Sequence, residues 1–414
     1  LDMRISTLQS FNKGLNSILD NQNQVNNTQQ QVSTGRRVLT PADDPIAATK
    51  ILQLQQDAAL REQFGKNMTG AEGRLTLEET QLAGITENLT RLKELTIKAG
   101  DGSQTITDRQ AIAAEVREIL GATVDLMNSK DAGGEYLFGG FKGGTEPFQK
   151  NESGRYDYAG DEGQRFLSIA SSTTVATGDN GKSLFVDIEA ADNSFTTKVS
   201  PLNEGTGFVN PGFVIDEAAY ADFYPEDLII TFNAESAISP PGPNFTVRQG
   251  SDGRLVDGLG GQPYTPGKEI VVAGVGVKIS GTPKAGDEFL VDSSEKQGIT
   301  DTVFRLLDGL NTLGDNPADA ATLDNLLEDT LTNLAFAQNS ISEIRSEVGA
   351  RLNVVENTSS LAADIDLVSK TVLSKLSDVD FAEAVSQLSL QTFLLESAQQ
   401  SYAKIQNLSL FNKL

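Results

Sequence analysis

Carboxylates and one glycine-rich stretch are the features of this sequence whose residue types could support chemistry. The chain contains no Cys and no His. This excludes thiolate nucleophiles, His-based catalytic triads and zinc sites built from those ligands. Carboxylate, Lys, Tyr or Ser chemistry remains. The absence of Cys also means that no disulfide stabilises the fold.

The adjacent acids Asp43 and Asp44 suit either a metal or acid/base pair or a structural role. Adjacent carboxylates rarely converge on one substrate, whereas Asp44 stands directly before Pro45, the position of a helix N-cap. We therefore predict an N-cap and a loop between domains or subunits. For Arg36 and Arg37 two interpretations stay open, pairing with carboxylates of a neighbouring subunit or a solvated loop.

The stretch Gly-Gly-Phe-Lys-Gly-Gly at residues 139–144 resembles a phosphate-binding loop only in its glycine content. Because it lacks the Gly-Lys-Ser/Thr ending and a following helix, we predict a hinge between a helical and a β region. Residues 179–181 and 315–317 are predicted turns, since neither continues as a calcium-binding loop. Tyr136 and Phe138 are predicted to pack in the interior. We thus predict no catalytic, cofactor-binding or metal-binding residue, no cofactor and no enzymatic activity.

The charge of the chain argues against two classes of partner. Its 414 residues include 33 Lys and Arg and 57 Asp and Glu, a net charge of −24. Such a surface repels phosphate backbones and anionic lipids, so we expect no nucleic acid and no membrane as partners. No stretch approaches the ~18 consecutive apolar residues of a membrane span. We interpret Met3 as the native start, and the segment after it lacks the apolar core of a secretory signal.

Both ends of the chain carry the seven-residue apolar repeat of a coiled coil. The first helix is predicted over about residues 5–33, with Gly35 as its C-cap. Pairing of the two ends would make the helical domain discontinuous, with the middle of the chain inserted between its halves. The predicted seam consists of Leu8, Phe11, Leu15, Ile18, Val25, Val32, Phe381, Leu388, Leu395, Ala398, Tyr402, Ile405, Leu408 and Phe411.

Longer helices are predicted inside the terminal ones, and strands between them. Helices are expected from Asp44-Pro45 to about Ala99, over 108–128 and 301–313, and from Asn316-Pro317 onward. In the helix that opens at Asn316-Pro317, a repeat of seven runs through Leu327, Leu334, Ile341, Val348, Val355 and Ala362. Strands are expected at 228–232, 245–248, 269–272, 275–280 and 288–291, between Gly- and Pro-rich turns.

These elements predict an α+β multidomain fold. Residues 3–42 and 378–414 would form a terminal coiled-coil domain, and residues 43–145 and 299–377 a helical bundle. Residues 146–298 would form an outer antiparallel β domain of one or two modules.

The terminal seam is thin, because the polar residues Gln22, Gln29 and Gln391 interrupt it. Burial of so few apolar side chains returns less free energy than ordering the helices costs. One interpretation is that the ends are partly disordered in the monomer and become ordered on assembly. The other is an ordinary two-helix stalk within one chain. We favour the first.

Several motifs carry a resemblance to the flagellin superfamily. Residues 33–48, Ser-Thr-Gly-Arg-Arg-Val-Leu-Thr-Pro-Ala-Asp-Asp-Pro-Ile-Ala-Ala, are similar to the segment that follows the innermost helix of flagellins. Within that superfamily, the Thr-Pro-x-Asp-Asp-Pro motif at 40–45 resembles the hook–filament junction proteins (the third hook-associated proteins) more than flagellins. So do Gly-Glu-Tyr-Leu-Phe-Gly-Gly-Phe at 134–141 and Leu-Ser-Leu-Phe-Asn-Lys-Leu at 408–414. The resemblance covers about residues 3–150 and 299–414.

The resemblance implies a structural subunit of the extracellular bacterial flagellum. It implies export through the flagellar type III apparatus, after a cytoplasmic chaperone has bound the C-terminal helix. It also implies a ring of about eleven subunits, with hook-associated protein 1 on the hook side and flagellin on the filament side. The alternatives left open are flagellin itself, a secreted β-domain binding or adhesion protein on a helical stalk, and an enzyme carried on the β domain.

Overall fold

The computed structural model describes residues 7–151 and 154–411, without the side chains of residues 7, 8, 10, 11 and 405–411. By its internal packing the chain divides into two compact units. The terminal unit comprises Leu1–Lys66 and Asn357–Leu414, and the central unit comprises Asn67–Glu356. These limits differ from the domain limits near residues 42 and 378 that the sequence suggested, because two long helices each contribute to both units. The division into three domains stays a prediction.

The helices begin and end where the sequence carries capping signals. Asp44 and Pro45 open the second helix, Thr105 and Asp108 form a capping box at the third, and Gly35 follows the first with φ +71°. All six predicted helices are present, with bounds within a few residues of those predicted. The helices of the described residues are α1 (Thr7–Thr34), α2 (Pro45–Ala99), α3 (Ile106–Met127), α4 (Glu217–Phe223), α5 (Ile299–Thr312), α6 (Pro317–Ser377) and α7 (Phe381–Phe411).

The strands all lie between α3 and α5, as predicted. The five predicted strands are present. Further strands precede them, one more lies among them at Gln262–Pro263, and a π-helical turn is formed by Lys182–Val186. The strands are β1 (Phe148–Lys150), β2 (Tyr156–Tyr158), β3 (Phe166–Ala170), β4 (Thr173–Ala176), β5 (Glu189–Val199), β6 (Phe208–Val209), β7 (Phe213–Val214), β8 (Leu228–Asn233), β9 (Asn244–Gln249), β10 (Gln262–Pro263), β11 (Glu269–Val272), β12 (Val275–Ser280) and β13 (Glu288–Lys296).

Strands β5 to β13 form antiparallel sheets around their own apolar core. One sheet has the order β10-β9-β8-β13-β5, and in a second β12 pairs with β11, β6 and β7. Phe232 of β8 lies at the centre of the core, with its ring edge-on to those of Tyr264 at 4.8 Å and Phe289 at 5.6 Å. Such aromatic packing is a large contribution to burial in a module of this size.

The remaining strands belong to the helical core instead. β1 and β2 form a hairpin, and Phe148 of β1 is buried with residues of α2, α3, α5 and α6. Phe138 is buried there too and contacts Phe185 edge-on, with ring centroids 5.1 Å apart, which confirms its predicted packing role. The repeat of seven in α6 is confirmed from Leu327 to Val355, where all five residues are buried.

The fold class is therefore the predicted one, α+β, with terminal helices on either side of an inserted antiparallel β region. Among residues 7–151 and 154–411, no helix combines the length and apolar composition that a membrane span requires.

Candidate functional site

The paired terminal helices are the first candidate surface. α1 and α7 pack against each other, as the matching repeats predicted. Val25 of α1 is buried, together with Ala384 and Leu395 of α7. Tyr402 of α7 lies against Gly14, where a Cβ would come within 3.2 Å of the ring. The contact is a narrow seam of the coiled-coil type.

Much of the predicted seam is not fully covered within one chain. Leu15 and Phe381 are exposed. Ile18, Val32, Leu388, Ala398 and Tyr402 are half-buried. The side chains of Leu8, Phe11, Ile405, Leu408 and Phe411 lie outside the described ones. The assembly role of these residues stays a prediction.

A second apolar face of α7 was not predicted as part of the seam. Leu390 is 59% exposed and Phe393 is 64% exposed, and Leu394 beside them is also exposed. Their spacing of three and four residues places them on one side of the helix. That spacing is visible in the sequence, but it departs from the strict repeat of seven that predicted the seam.

The part of α6 that belongs to the terminal unit carries a third such face. Exposed apolar residues recur there in steps of four and three, at Leu361, Ile365, Val368 and Val372. The half-buried face, one residue further along at each step, comprises Ala362, Asp366, Ser369 and Leu373, so it is half polar and half apolar. In a single chain this helix thus leaves a row of apolar side chains exposed, in addition to those on its half-buried face. Contiguous exposed apolar residues of this kind mark surfaces that bind other proteins.

The loop between α1 and α2 is held by its own side chains. Asp44 is the N-cap of α2, as predicted, and accepts a hydrogen bond from the amide of Ala47 at 3.0 Å. Asp43 accepts from the amides of Leu39 and Thr40 at 3.1 and 2.7 Å. Hydrogen bonds from these amides lower the pKa of both carboxyl groups. The largest effect comes from the amide of Thr40 for Asp43 and from the amide of Ala47 for Asp44. Both acids therefore have structural roles.

Arg37 makes contacts within its own chain. Its guanidinium binds Asp44 of its own chain at 3.3 Å and donates to the carbonyl of Leu376 at 3.0 Å. Arg36 forms a β-bridge with Asp378. Within the chain these contacts tie the loop to the end of α6. Pairing of Arg36 and Arg37 with carboxylates of a neighbouring subunit stays a prediction.

The glycine-rich stretch binds a carboxylate of the chain itself. The amides of Phe141 and Gly163 both donate to Asp161 Oδ1 at 2.8 Å, which lowers the pKa of that carboxyl group. Gly140 has φ +68°, and a Cβ there would lie 2.3 Å from the same oxygen. The stretch is a turn into the β region, in agreement with the hinge predicted from the sequence.

Sequence reasoning missed a buried charged cluster in the central unit. The predicted turn at 179–181 contains Asp179, whose carboxylate is buried and binds Arg351. Glu78 of α2 is buried next to it. No sequence signal links these residues, because they lie far apart in the chain and their spacing has no period.

The other predicted turn, at 315–317, is confirmed as a cap. Asn316 accepts hydrogen bonds from the amides of Ala318 and Asp319 at the start of α6. Asp315 binds Arg109 at 2.8 Å. In the part of the chain that the structure describes, no group of three or more acidic side chains is placed to hold a metal ion.

Comparison with known proteins relates both ends of the chain to flagellins. A model of the bacterial flagellin N-terminal helical region matches residues 5–142, and one of the bacterial flagellin C-terminal helical region matches residues 331–414. Flagellar hook-associated protein 3 of Salmonella typhimurium is 25% identical over 409 residues, which cover 99% of each chain.

Two solved structures from Legionella pneumophila are more similar in sequence. Flagellar hook associated protein-3 is 31% identical with a TM-score of 0.53, and the match covers 79% of this chain and 98% of that one. Flagellar junction protein FlgL is 30% identical with a TM-score of 0.50, and the match covers 79% of this chain and 99% of that one.

Proposed function

The chain belongs to the flagellar hook-associated protein 3 family, and from this membership we propose that it is the structural subunit that joins the flagellar hook to the filament. Its relatives are structural flagellar proteins, so the chain is a component of the bacterial flagellum. In this role it acts by binding other subunits, and it carries out no reaction.

The observation that supports this function best is the outward-facing apolar surface of the terminal unit. Leu361, Ile365 and Val368 on α6, with Leu390 and Phe393 on α7, are exposed in the single chain. Each such side chain gains about 1.5–3 kcal/mol when it is fully buried. A subunit whose terminal helices are surrounded by other helices would bury these faces, whereas a free monomer leaves them in water.

The partners that we propose follow from that surface and from the family. Copies of the chain would form a closed ring of about eleven subunits through head-to-tail contacts. Hook-associated protein 1 would contact the ring on the hook side and flagellin on the filament side. The strands β5 to β13 would face outward, because they have a complete core of their own and need no neighbour.

We also propose the route by which the chain reaches the flagellum. It would pass through the flagellar type III apparatus as an unfolded chain, and a cytoplasmic chaperone would cover α7 beforehand. The apolar residues Leu390, Phe393 and Leu394 of α7 support this step, because they would otherwise promote aggregation before export.

Deletion of the gene in the source bacterium tests the junction role. We expect intact hooks, flagellin released into the medium and no attached filaments. The wild-type gene should restore attached filaments and end the release of flagellin. Attached filaments of normal length in the deletion strain would contradict the proposal.

Purified protein separates this role from that of flagellin. We expect it to remain without long filaments under conditions in which flagellin of the same bacterium polymerises. Long filaments formed by the purified chain alone would favour a filament subunit instead.

A further inference from the structure

Two carboxyl groups and two guanidinium groups meet at a buried point of the central unit. Glu78 and Arg74 lie on α2, Arg351 lies on α6, and Asp179 lies in the segment 177–181, between β4 and the π-helical turn. Glu78 is only 1% exposed and Asp179 only 8% exposed. Burial of two adjacent carboxylates is costly unless each has a counter-charge or carries a proton.

Asp179 has a complete set of partners. Arg351 donates to its two carboxylate oxygens at 2.6 and 3.1 Å, and Gln164 donates to Oδ1 at 2.7 Å. This bidentate contact is of the strong, charge-assisted kind. The amide of Asp179 donates in turn to Glu78 Oε1 at 3.0 Å. Asp179 thus contacts Glu78 through its backbone amide while its own carboxylate binds Arg351.

Glu78 is the acid that receives no guanidinium hydrogen bond. Its Oε2 is buried and has no hydrogen-bond partner among the described residues. Arg74, four residues earlier on α2, instead binds Asp131 at 2.5 Å. The guanidinium of Arg351, which binds Asp179, also binds the carboxylate of Glu347, with an N–O distance of 2.8 Å.

The hydrogen bonds of the surrounding cations go to other acids. Glu135, on the segment between α3 and β1, lies 3.9 Å from Arg74 and binds Arg165. Glu79, the next residue of α2, binds Arg345 at 2.7 Å on a half-exposed face. Arg74 and Arg351 therefore act on Glu78 only through space, while their hydrogen bonds go to other carboxylates, and Glu78 faces the charge of Asp179.

We propose that the Glu78–Asp179 pair is a proton-controlled latch that fastens the segment 177–181 to α2 and α6. With a proton on Glu78 the pair carries one negative charge, which Arg351 neutralises, and the segment stays fastened. Without the proton two negative charges share the buried point, and the segment is released more readily. Residues 177–181 lead into the π-helical turn, whose Leu184 and Phe185 are buried in the helical core, so the latch controls how firmly this connection is held.

The electrostatics of the site agree with this geometry. Burial, and next the charge of Asp179, raise the pKa of Glu78 from 4.5 to about 8. In the open segment the carboxyl group returns to water and to its ordinary pKa. Opening of the segment 177–181 is then least favourable below pH 4.5. It becomes more favourable as the pH rises to about 8, and above that pH the opening equilibrium no longer depends on pH. Within this window the opening equilibrium changes by at most tenfold per pH unit.

Hydrogen exchange of the full-length protein between pH 5.5 and 7.5 tests the latch. After correction for the intrinsic exchange rate, protection of the amides of residues 177–181 should fall by about tenfold per pH unit in the wild type. In Glu78→Gln, which keeps the shape of the side chain but cannot ionise, protection should not change with pH. Glu79→Gln is the matched control and should behave like the wild type.

Two outcomes would overturn the latch. One is the same pH dependence in Glu78→Gln as in the wild type, which would place the titrating group elsewhere. The other is pH-independent protection of residues 177–181 in the wild type, which decides the question even if Glu78→Gln does not fold. Asp179→Asn provides a further check, because removal of the neighbouring charge should move the upper end of the window to lower pH.

Discussion

The ring of Tyr402 lies on the backbone of Gly14, so that a Cβ at position 14 would be 3.2 Å from Cδ2 of the ring. The two residues belong to α1 and α7, and the contact lets the terminal helices approach closely at this level of the seam. A side chain at position 14 would have to displace the ring. The contact therefore offers a direct way to separate the two helices.

Gly14→Leu should disrupt the pairing of α1 and α7. Leu favours helix over Gly by roughly 0.8–1 kcal/mol, so the helix itself is not weakened. The added side chain, however, occupies the place of the Tyr402 ring. We expect fewer attached filaments and poor swimming in a strain that carries this variant.

Gly70→Leu is the matched control for that substitution. It makes the same change inside α2, where a Cβ has no neighbour within 4 Å. The control should assemble normally. Equal filament numbers for the two variants would show that the contact between Gly14 and Tyr402 has no role in assembly.

The exposed face of α6 should matter only in the assembled state. Leu361→Ser and Val368→Ser change side chains that are 60% and 63% exposed. The free energy of unfolding of the purified chain should change by less than about 0.5 kcal/mol. Attachment of filaments should nevertheless be lost, because each variant removes apolar surface that the ring would bury.

Asp364→Ser, at an exposed position of the same helix, should leave both properties unchanged. Urea unfolding and electron microscopy of cells measure the two effects separately. Destabilisation of the monomer without a loss of filaments would assign the face to the chain's own folding.

Thr105 should stabilise α3 through its capping box. Its hydroxyl accepts from the amide of Asp108 at 3.2 Å, and Asp108 accepts from the amide of Thr105 at 3.1 Å. Thr105→Ala should lower the free energy of unfolding by about 1 kcal/mol. Thr107→Ala makes the same chemical change inside the helix, and its urea midpoint should stay equal to or above that of the wild type, because Ala favours helix.

The long helices were predictable because strong local signals mark both of their ends. Asp44-Pro45 and Gly100 flank α2, and Asn316-Pro317 opens α6. The repeat of seven from Leu327 to Val355 specified which face of α6 is buried. These signals act within a few residues and depend little on the rest of the fold.

Strand β5 was not predictable in the same way. Its sequence, Glu-Ala-Ala-Asp-Asn-Ser-Phe-Thr-Thr-Lys-Val, shows no alternation of apolar and polar residues. It is a strand because it pairs with β13 over most of its length, from Glu189 to Val199, around a register shift near Lys296. Pairing with a distant strand overrides weak local preference.

The sequence predicted the seam between α1 and α7, but not the other exposed apolar faces. The repeat of seven identified Val25 and Leu395, which lie in the seam. It could not identify the outward faces of α6 and α7, because periodicity shows which residues share a face and not which face is covered. The pairing of Glu78 with Asp179 depends on the folded arrangement alone.

The terminal helices should gain most of their protection from hydrogen exchange on assembly. Among their described side chains, α1 and α7 bury few large apolar ones, chiefly Val25 and Leu395, whereas α5 buries Val303, Leu306 and Leu310 completely. In a dilute monomer we therefore expect amides of α1 and α7 to exchange orders of magnitude faster than those of α5, because local opening exposes little apolar surface. In isolated hook–filament junctions the same amides should become protected, while those of α5 change little. Full protection of α1 and α7 in the monomer would mean that the seam is complete within one chain, and the exposed faces of α6 and α7 would then need another explanation.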